Sequence, residues 1–217
     1  MSTDADVRGP ADERLWLVRA VLVLQSPTAV FEALRDDRDE IARAREEAVL
    51  ALILLAGIAG VLWTPIAGTL RDDPVYRDGL NVAIWAFIGG GIYGIVGYWV
   101  SGLLLWAGIR AARGEGSFRQ ARHVVAFAAA PVALSLLLVF PVRIALYGSD
   151  LFARGGADRG VGNTVFVGLE LACLAWSAAL LLLGLRSVYR FRWPRAALAF
   201  GFAALLPALV ALVSLLF

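Results

Sequence analysis

Lysine is absent from this chain, and all 20 of its basic residues are arginine. Cysteine and histidine occur once each, as Cys173 and His123. A single cysteine excludes an internal disulfide and a multi-cysteine metal cage. Cys173 lies in an apolar run, where a cysteine behaves as a small hydrophobe. No His, Cys, Asp and Glu residues cluster at metal-ligand spacing, so neither a metal nor another cofactor is expected. Charge is scarce as well: 18% of residues are charged, against about 25% in soluble domains. A net charge of +2, with no basic patch interleaved with aromatics, argues against a nucleic-acid partner.

Apolar residues fill the space that charge leaves. They make up 60% of the chain, and the mean hydropathy is +0.74. They are also clumped. Several runs of roughly 20 residues hold few or no charges, the length that crosses ~30 Å of hydrocarbon at 1.5 Å per residue. The expected fold is therefore all-α, a polytopic membrane protein. An arginine-only basic set is what a GC-rich coding sequence produces, which points to a bacterial source.

Residues 1–13 are small and polar and read as a disordered tail. The acidic opening "MSTDADVRGPADER" has no basic n-region of a cleavable signal. Residues 14–25, "RLWLVRAVLVLQ", are too short to span. They fit an interfacial helix with Trp16 at headgroup level, or a helix packed on the body of the protein. Ser26 is then a good N-cap, with Pro27 at the first helical position. Val30, Phe31, Leu34, Arg38 and Ile41 fall on one side at helical spacing, and Asp39 and Arg43 form an i,i+4 pair. Thr28 to Glu47 thus reads as a cytoplasmic amphipathic helix. Together, residues 14–47 form an amphipathic prelude to a transmembrane domain at 48–217.

Five spans are expected in that domain, at about 48–68, 79–109, 121–140, 161–185 and 195–217. Pro131 and Pro207 fall inside spans and Pro141 ends one; neighbouring helices can satisfy the carbonyls that proline frees. Arginine placement sets the orientation. Seven arginines precede the first span, four follow the second and four follow the fourth. The alternate loops carry two each, Arg71 and Arg77, then Arg154 and Arg159. The positive-inside rule puts the N-terminus in the cytoplasm and the C-terminus outside an inner or plasma membrane.

Catalytic signals are weak. "GEGSFR", at 114–119, lacks the third glycine of a dinucleotide fingerprint and the lysine of a P-loop, and no strand precedes it. His123 has neither a carboxylate nor a nucleophile near it in sequence. Ser101 sits in a span as an intramembrane protease serine would, but no adjacent span supplies a second catalytic group. No enzyme is expected. The carboxylate that matters is Glu170, since an ionisable group at membrane depth is costly unless paired. It lies 16 residues before Arg186, or about 24 Å from that boundary; Arg143 lies 21 residues beyond Arg122, or about 31 Å along its own span. A Glu170–Arg143 pair is therefore within reach, with a snorkelling carboxylate or a proton-handling one as alternatives. Gly90 and Gly94, then Gly97 and Ser101, follow small-xxx-small spacing, which suits close helix packing, a dimer face or a ligand path. Arg186, Arg190, Arg192 and Arg195 lie at one boundary, placed to contact anionic lipid.

The order of these features resembles a bacterial member of the Yip1-domain family over residues 26–217. The residues that carry the resemblance are Pro27 and Phe31, the Gly114-x-Gly116-x-Phe118 entry with the later Pro131, and Trp176 followed by Gly184 and Leu185. The resemblance implies a cytoplasmic N-terminus, five membrane helices and no known enzymatic activity. Eukaryotic relatives associate with Rab-type GTPases and with each other, and some bacterial ones accompany ABC-type exporters. No GTPase-binding motif is carried here. The expectation is a scaffold or adaptor that meets the bilayer, a membrane-protein partner or a second copy of itself. The alternative is a transporter or an accessory subunit of an export system.

Overall fold

A computed structural model describes residues 18–63, 79–148, 151 and 160–216. The expected tail at 1–13, Arg14 and Trp16, and Arg71, Arg77, Arg154 and Arg159 lie outside the described residues. Among the described residues the chain is helical, with no strand. After a helical stretch at 18–22, eight helices follow in order: α1 (Pro27–Ala33), α2 (Asp39–Arg43), α3 (Glu46–Trp63), α4 (Gly79–Ala111), α5 (Phe118–Ala128), α6 (Ala130–Tyr147), α7 (Gly160–Tyr189) and α8 (Trp193–Leu216).

Among the described residues, four stretches are long and apolar enough to cross a membrane: Asp39–Trp63, Ile84–Ala111, Phe118–Tyr147 and Gly160–Tyr189. The sequence places a fifth span in α8, a helix of 24 residues. The outward face of α4 presents Ile84, Trp85, Phe87, Ile88, Ile92 and Leu103. A contiguous apolar surface of that size on water would be a liability, and in hydrocarbon it is the solvated face. At 33 residues, α4 is about 50 Å long, so it tilts or projects beyond the bilayer.

The long helices close into a ring. α3 packs on α4 and α6, α4 on α8, α8 on α7, and α7 on α6. Hydrocarbon gives no hydrophobic drive between helices, so close approach and dispersion must hold this ring. Glycine supplies the approach. A Cβ on Gly94 would stand 2.5 Å from the Ile53 carbonyl oxygen and 3.2 Å from the Gly57 Cα, and one on Gly90 would stand 2.5 Å from the Ile58 Cα. The α3–α4 crossing therefore sits on Gly57, Gly90 and Gly94. Gly108 does the same for α4 and α8, with Ala199 backbone atoms at 2.7 and 2.9 Å. Gly97 differs from the sequence expectation, because a Cβ there would meet nothing within 4 Å. Beyond Gly94, Ile53 of α3 and Ile95, Tyr98 and Trp99 of α4 line a cavity. Ser101 is half-buried on the same helix.

The third hydrophobic run is a broken helix. α5 ends at Ala128 with Ala129 as its C-cap, and α6 begins at once with Pro131 near its start. Pro131 has no N–H to give to the Phe127 carbonyl, so the helical ladder is interrupted there. The run does not stop at Pro141, as the sequence suggested. α6 continues through it to Tyr147, which carries Arg143 inside a helix. α5 enters the ring and packs on α3, α4 and α7. Ala121, His123, Val124, Ala126 and Phe127 are at most 2% exposed.

The segment before the spans is not one helix. α1 and α2 are separated at 34–38, where Asp36 Oδ1 accepts from the Arg38 backbone N–H at 3.3 Å and Arg38 is extended. Aspartates favour such local turns over continued helix. Val30, Phe31 and Leu34 of the expected stripe are buried, whereas Arg38 is exposed and Ile41 half-buried. Residues 18–25 divide by side: Ala20 and Val23 join the core while Val18, Val21 and Leu22 face outward. The segment packs on the body and keeps an apolar outer edge.

Substituting Gly94→Leu should lower the detergent Tm by the equivalent of about 1–3 kcal/mol through overpacking, while Gly97→Leu should leave it unchanged. Equal Tm values for the two variants would refute the placement of the α3–α4 crossing.

Candidate functional site

The arginine-rich end of the bundle gathers three pieces of chain that are far apart in sequence. They are the segment through α1 and α2, the α4–α5 turn and the α7–α8 turn. The capping geometry of α5 explains much of the meeting. Ser117 is its N-cap, and the Ser117 Oγ accepts from the Gln120 N–H at 2.9 Å. The Ser117 hydroxyl in turn donates to the Asp37 carboxylate. Gln120, 8% exposed, donates through Nε2 to the Leu34 carbonyl at 2.9 Å. "S-x-x-Q" before an apolar run is a capping-box pattern; it was a legible signal for the start of α5, though not for the contact with Leu34.

Arg119 ties the same segment electrostatically. Its Nε donates to Asp37 Oδ1 at 3.0 Å, Nη1 to Asp39 Oδ1 at 2.7 Å and Nη2 to the Asp37 carbonyl at 2.5 Å. Asp39 thus turns to Arg119 across 80 positions of sequence. Arg45 is fully buried, and its guanidinium serves the carbonyls of Asp36 and Ile41. Arg35 Nε donates to the Ser187 carbonyl at 2.7 Å, reaching the end of α7. Asp36 and Arg38 pair on the outside at 2.6 Å. That side-chain hydrogen bond holds the Asp36 carboxyl below its ordinary range and the Arg38 guanidinium above its own.

Apolar contacts complete the junction. Phe31 is fully buried against Gly184, where an added Cβ would stand 2.9 Å from the Phe31 ring and 3.0 Å from Val124. The glycines of "GEG" have the same kind of use. A Cβ on Gly114 would strike Phe191, and one on Gly116 would strike Tyr189. The loop is glycine-rich because a second loop lies on it. Its turn is a Schellman closure, with Arg113 in the left-handed region at φ 58° and the Gly114 N–H on the Ile109 carbonyl at 2.8 Å.

The arginines at this end lean on aromatic faces. The Arg122 guanidinium carbon lies 3.9 Å from the Trp99 ring centre, 4.9 Å from Phe118 and 5.2 Å from Tyr98. Arg186 stacks 4.1 Å over Trp193 and Arg110 lies 5.4 Å from Trp106. Arg186, Arg190, Arg192 and Arg195 are all exposed along the α7–α8 turn. Beside Arg122, a cavity of about 490 Å³ opens between α3, α4 and α5, with His123 in its wall. The Arg122–aromatic cage and the Asp37–Arg119 tie were not read from sequence, since both join residues with no shared periodicity.

A second polar feature lies towards the other end of the ring. Arg143 on α6 donates through Nη1 to Glu170 Oε1 on α7 at 2.8 Å, with both side chains at least 86% buried. The Arg143 guanidinium also lies 5.6 Å from the Phe166 ring centre. Among the described residues, no three His, Cys, Asp or Glu side chains are arranged to hold a metal ion.

The family model of the Yip1 domain matches residues 21–215. No curated protein and no solved structure matches the chain.

Replacing Arg143 with Leu strands the Glu170 carboxylate and should cost about 3–5 kcal/mol, and adding Glu170→Leu should restore most of that. A double variant as unstable as the single one, by thermal melting, would contradict a structural pair. Asp37→Asn should speed tryptic cleavage after Arg38 or Arg43 with helical content unchanged, at a cost of about 0.2–1 kcal/mol. Unaltered cleavage would show that the Arg119 tie does not hold the segment.

Proposed function

The chain belongs to the Yip1-domain family, and on that footing we propose that it is a non-enzymatic membrane scaffold or adaptor whose working surface is the platform built by α1 and α2. The observation that carries this reading is the way the segment is fixed. Phe31, Leu34 and Gln120 hold it from beneath, and Arg119 and Arg35 tie it at two places. Its apolar side is thereby consumed. What faces outward is a mixed-charge surface of Glu32, Arg38, Glu40 and Arg43. A surface ordered in advance spares a partner the entropy of ordering it, and interspersed charges of both signs select the partner's register.

In this reading the platform is cytoplasmic, by the arginine bias, and the chain crosses a bacterial plasma membrane five times, ending outside. The exposed Arg186, Arg190, Arg192 and Arg195 add a seat for anionic lipid, at about 1 kcal/mol per arginine near the surface. The Arg143–Glu170 pair favours a scaffold over a transporter or exporter subunit, because the carboxylate that an ion path would use already has a fixed cation. The partner is another membrane protein or a second copy of this chain.

Cross-linking and native pull-down from the source membrane, read by mass spectrometry, tests the reading with a charge-reversed pair, Glu40→Arg with Arg43→Glu. The wild type should recover a defined membrane protein that the variant loses while keeping its Tm. Recovery of a transporter ATPase equally by both would favour the export-subunit reading and remove the platform from the account.

A further inference from the structure

We propose that the cavity between α3, α4 and α5 is a lipid site that takes the phosphoethanolamine headgroup of a zwitterionic phospholipid. Three independent observations converge on it. First, its wall contains a cation with unmet bonding capacity. Arg119 also lines the cavity, but its guanidinium is committed to Asp37 and Asp39. Arg122 is held by stacking on Trp99 and has no ion pair among the described residues, and its buried Nε has no hydrogen-bond partner. Second, His123 lines the same cavity at 2% exposure, and its Nδ1 likewise has no partner. A buried imidazole without a partner is costly unless a ligand completes it. A phosphate provides acceptors for the Arg122 Nε–H and for His123 in its Nδ1–H tautomer, and a guanidinium matches its geometry.

Third, the rim is not simply basic. Glu46 and Glu47, exposed in the first turn of α3, border the cavity. They disfavour a plain anion and complement a primary ammonium carried next to the phosphate. The shared chemistry is phosphoethanolamine, from a lipid or from a soluble ester. The lipid is selected by the remaining wall, because Leu50 and Ile95 line the cavity and are also exposed on the hydrocarbon side. An acyl chain can follow that wall without leaving the bilayer. The site is independent of the partner surface proposed above.

The test uses the full chain in detergent, delipidated and then titrated in mixed micelles, with bound lipid read by native mass spectrometry. Wild type should retain phosphatidylethanolamine about tenfold better than phosphatidylglycerol, the size of one charge-assisted hydrogen bond. Arg122→Gln should lower retention of both lipids about tenfold. Glu46→Gln with Glu47→Gln alters only exposed side chains; it should reverse the preference towards phosphatidylglycerol with Tm unchanged. Glycerophosphoethanolamine should fail to compete at matched concentration, and full competition would overturn the acyl wall. Equal retention of the two lipids by wild type, or an unchanged preference in the Glu46 and Glu47 variant, would overturn the proposal. A melted Arg122→Gln protein leaves the decision to the carboxylate variant.

Discussion

The seating of α5 among α3, α4 and α7 governs how the rest of the molecule is arranged. Pro131 cannot donate to the turn before it, so the helix is interrupted where α5 ends and α6 begins. The polar N-terminus of α5 lies at the arginine-rich end with its donors and acceptors turned towards other chain segments. Ser117, Arg119 and Gln120 meet the Leu34–Asp39 turn, and Arg122 and His123 line the cavity between α3, α4 and α5. Both the docked segment and the cavity are built on α5.

Glycine and arginine divide the remaining work. In hydrocarbon, apolar surface gains nothing by meeting other apolar surface, so contact must come from fit. Gly57, Gly90, Gly94 and Gly108 let backbones approach where any side chain would intrude. Arginine does the opposite task. Several guanidiniums at the boundary are matched to what is near: carboxylates and a carbonyl for Arg119, carbonyls for Arg45, ring faces for Arg122 and Arg186. A flexible ammonium would not stack and fork in these ways. The absence of lysine therefore has no structural cost here.

Much of this was legible from residue order, and the physics says which parts. Hydrophobic runs mark the long helices because backbone satisfaction in lipid leaves few other structures. The Arg143 and Glu170 heights followed from 1.5 Å per residue, and the two groups lie at hydrogen-bond distance. The glycine spacing found Gly90 and Gly94 but also offered Gly97, since periodicity cannot say which small residues meet a neighbouring helix. Gly57 and Gly108 escaped notice because each is half of a pair whose other half lies on another helix. The helical stripe from Val30 to Ile41 hid the turn at Asp36, where a local side-chain bond outweighs an apolar period. Long-range ties such as Arg119 to Asp37 leave no periodic trace at all.

The central claim is that residues 27–45 are a fixed part of the bundle, held on α5 and α7, and not a loose tail. Hydrogen exchange of the full chain in lipid nanodiscs, resolved by peptide, tests this most directly. The account predicts slow exchange for the amides hydrogen-bonded within α1 and α2, with protection close to that of α5. Exchange of those amides at the rate of an unstructured peptide, with α5 still protected, would contradict it.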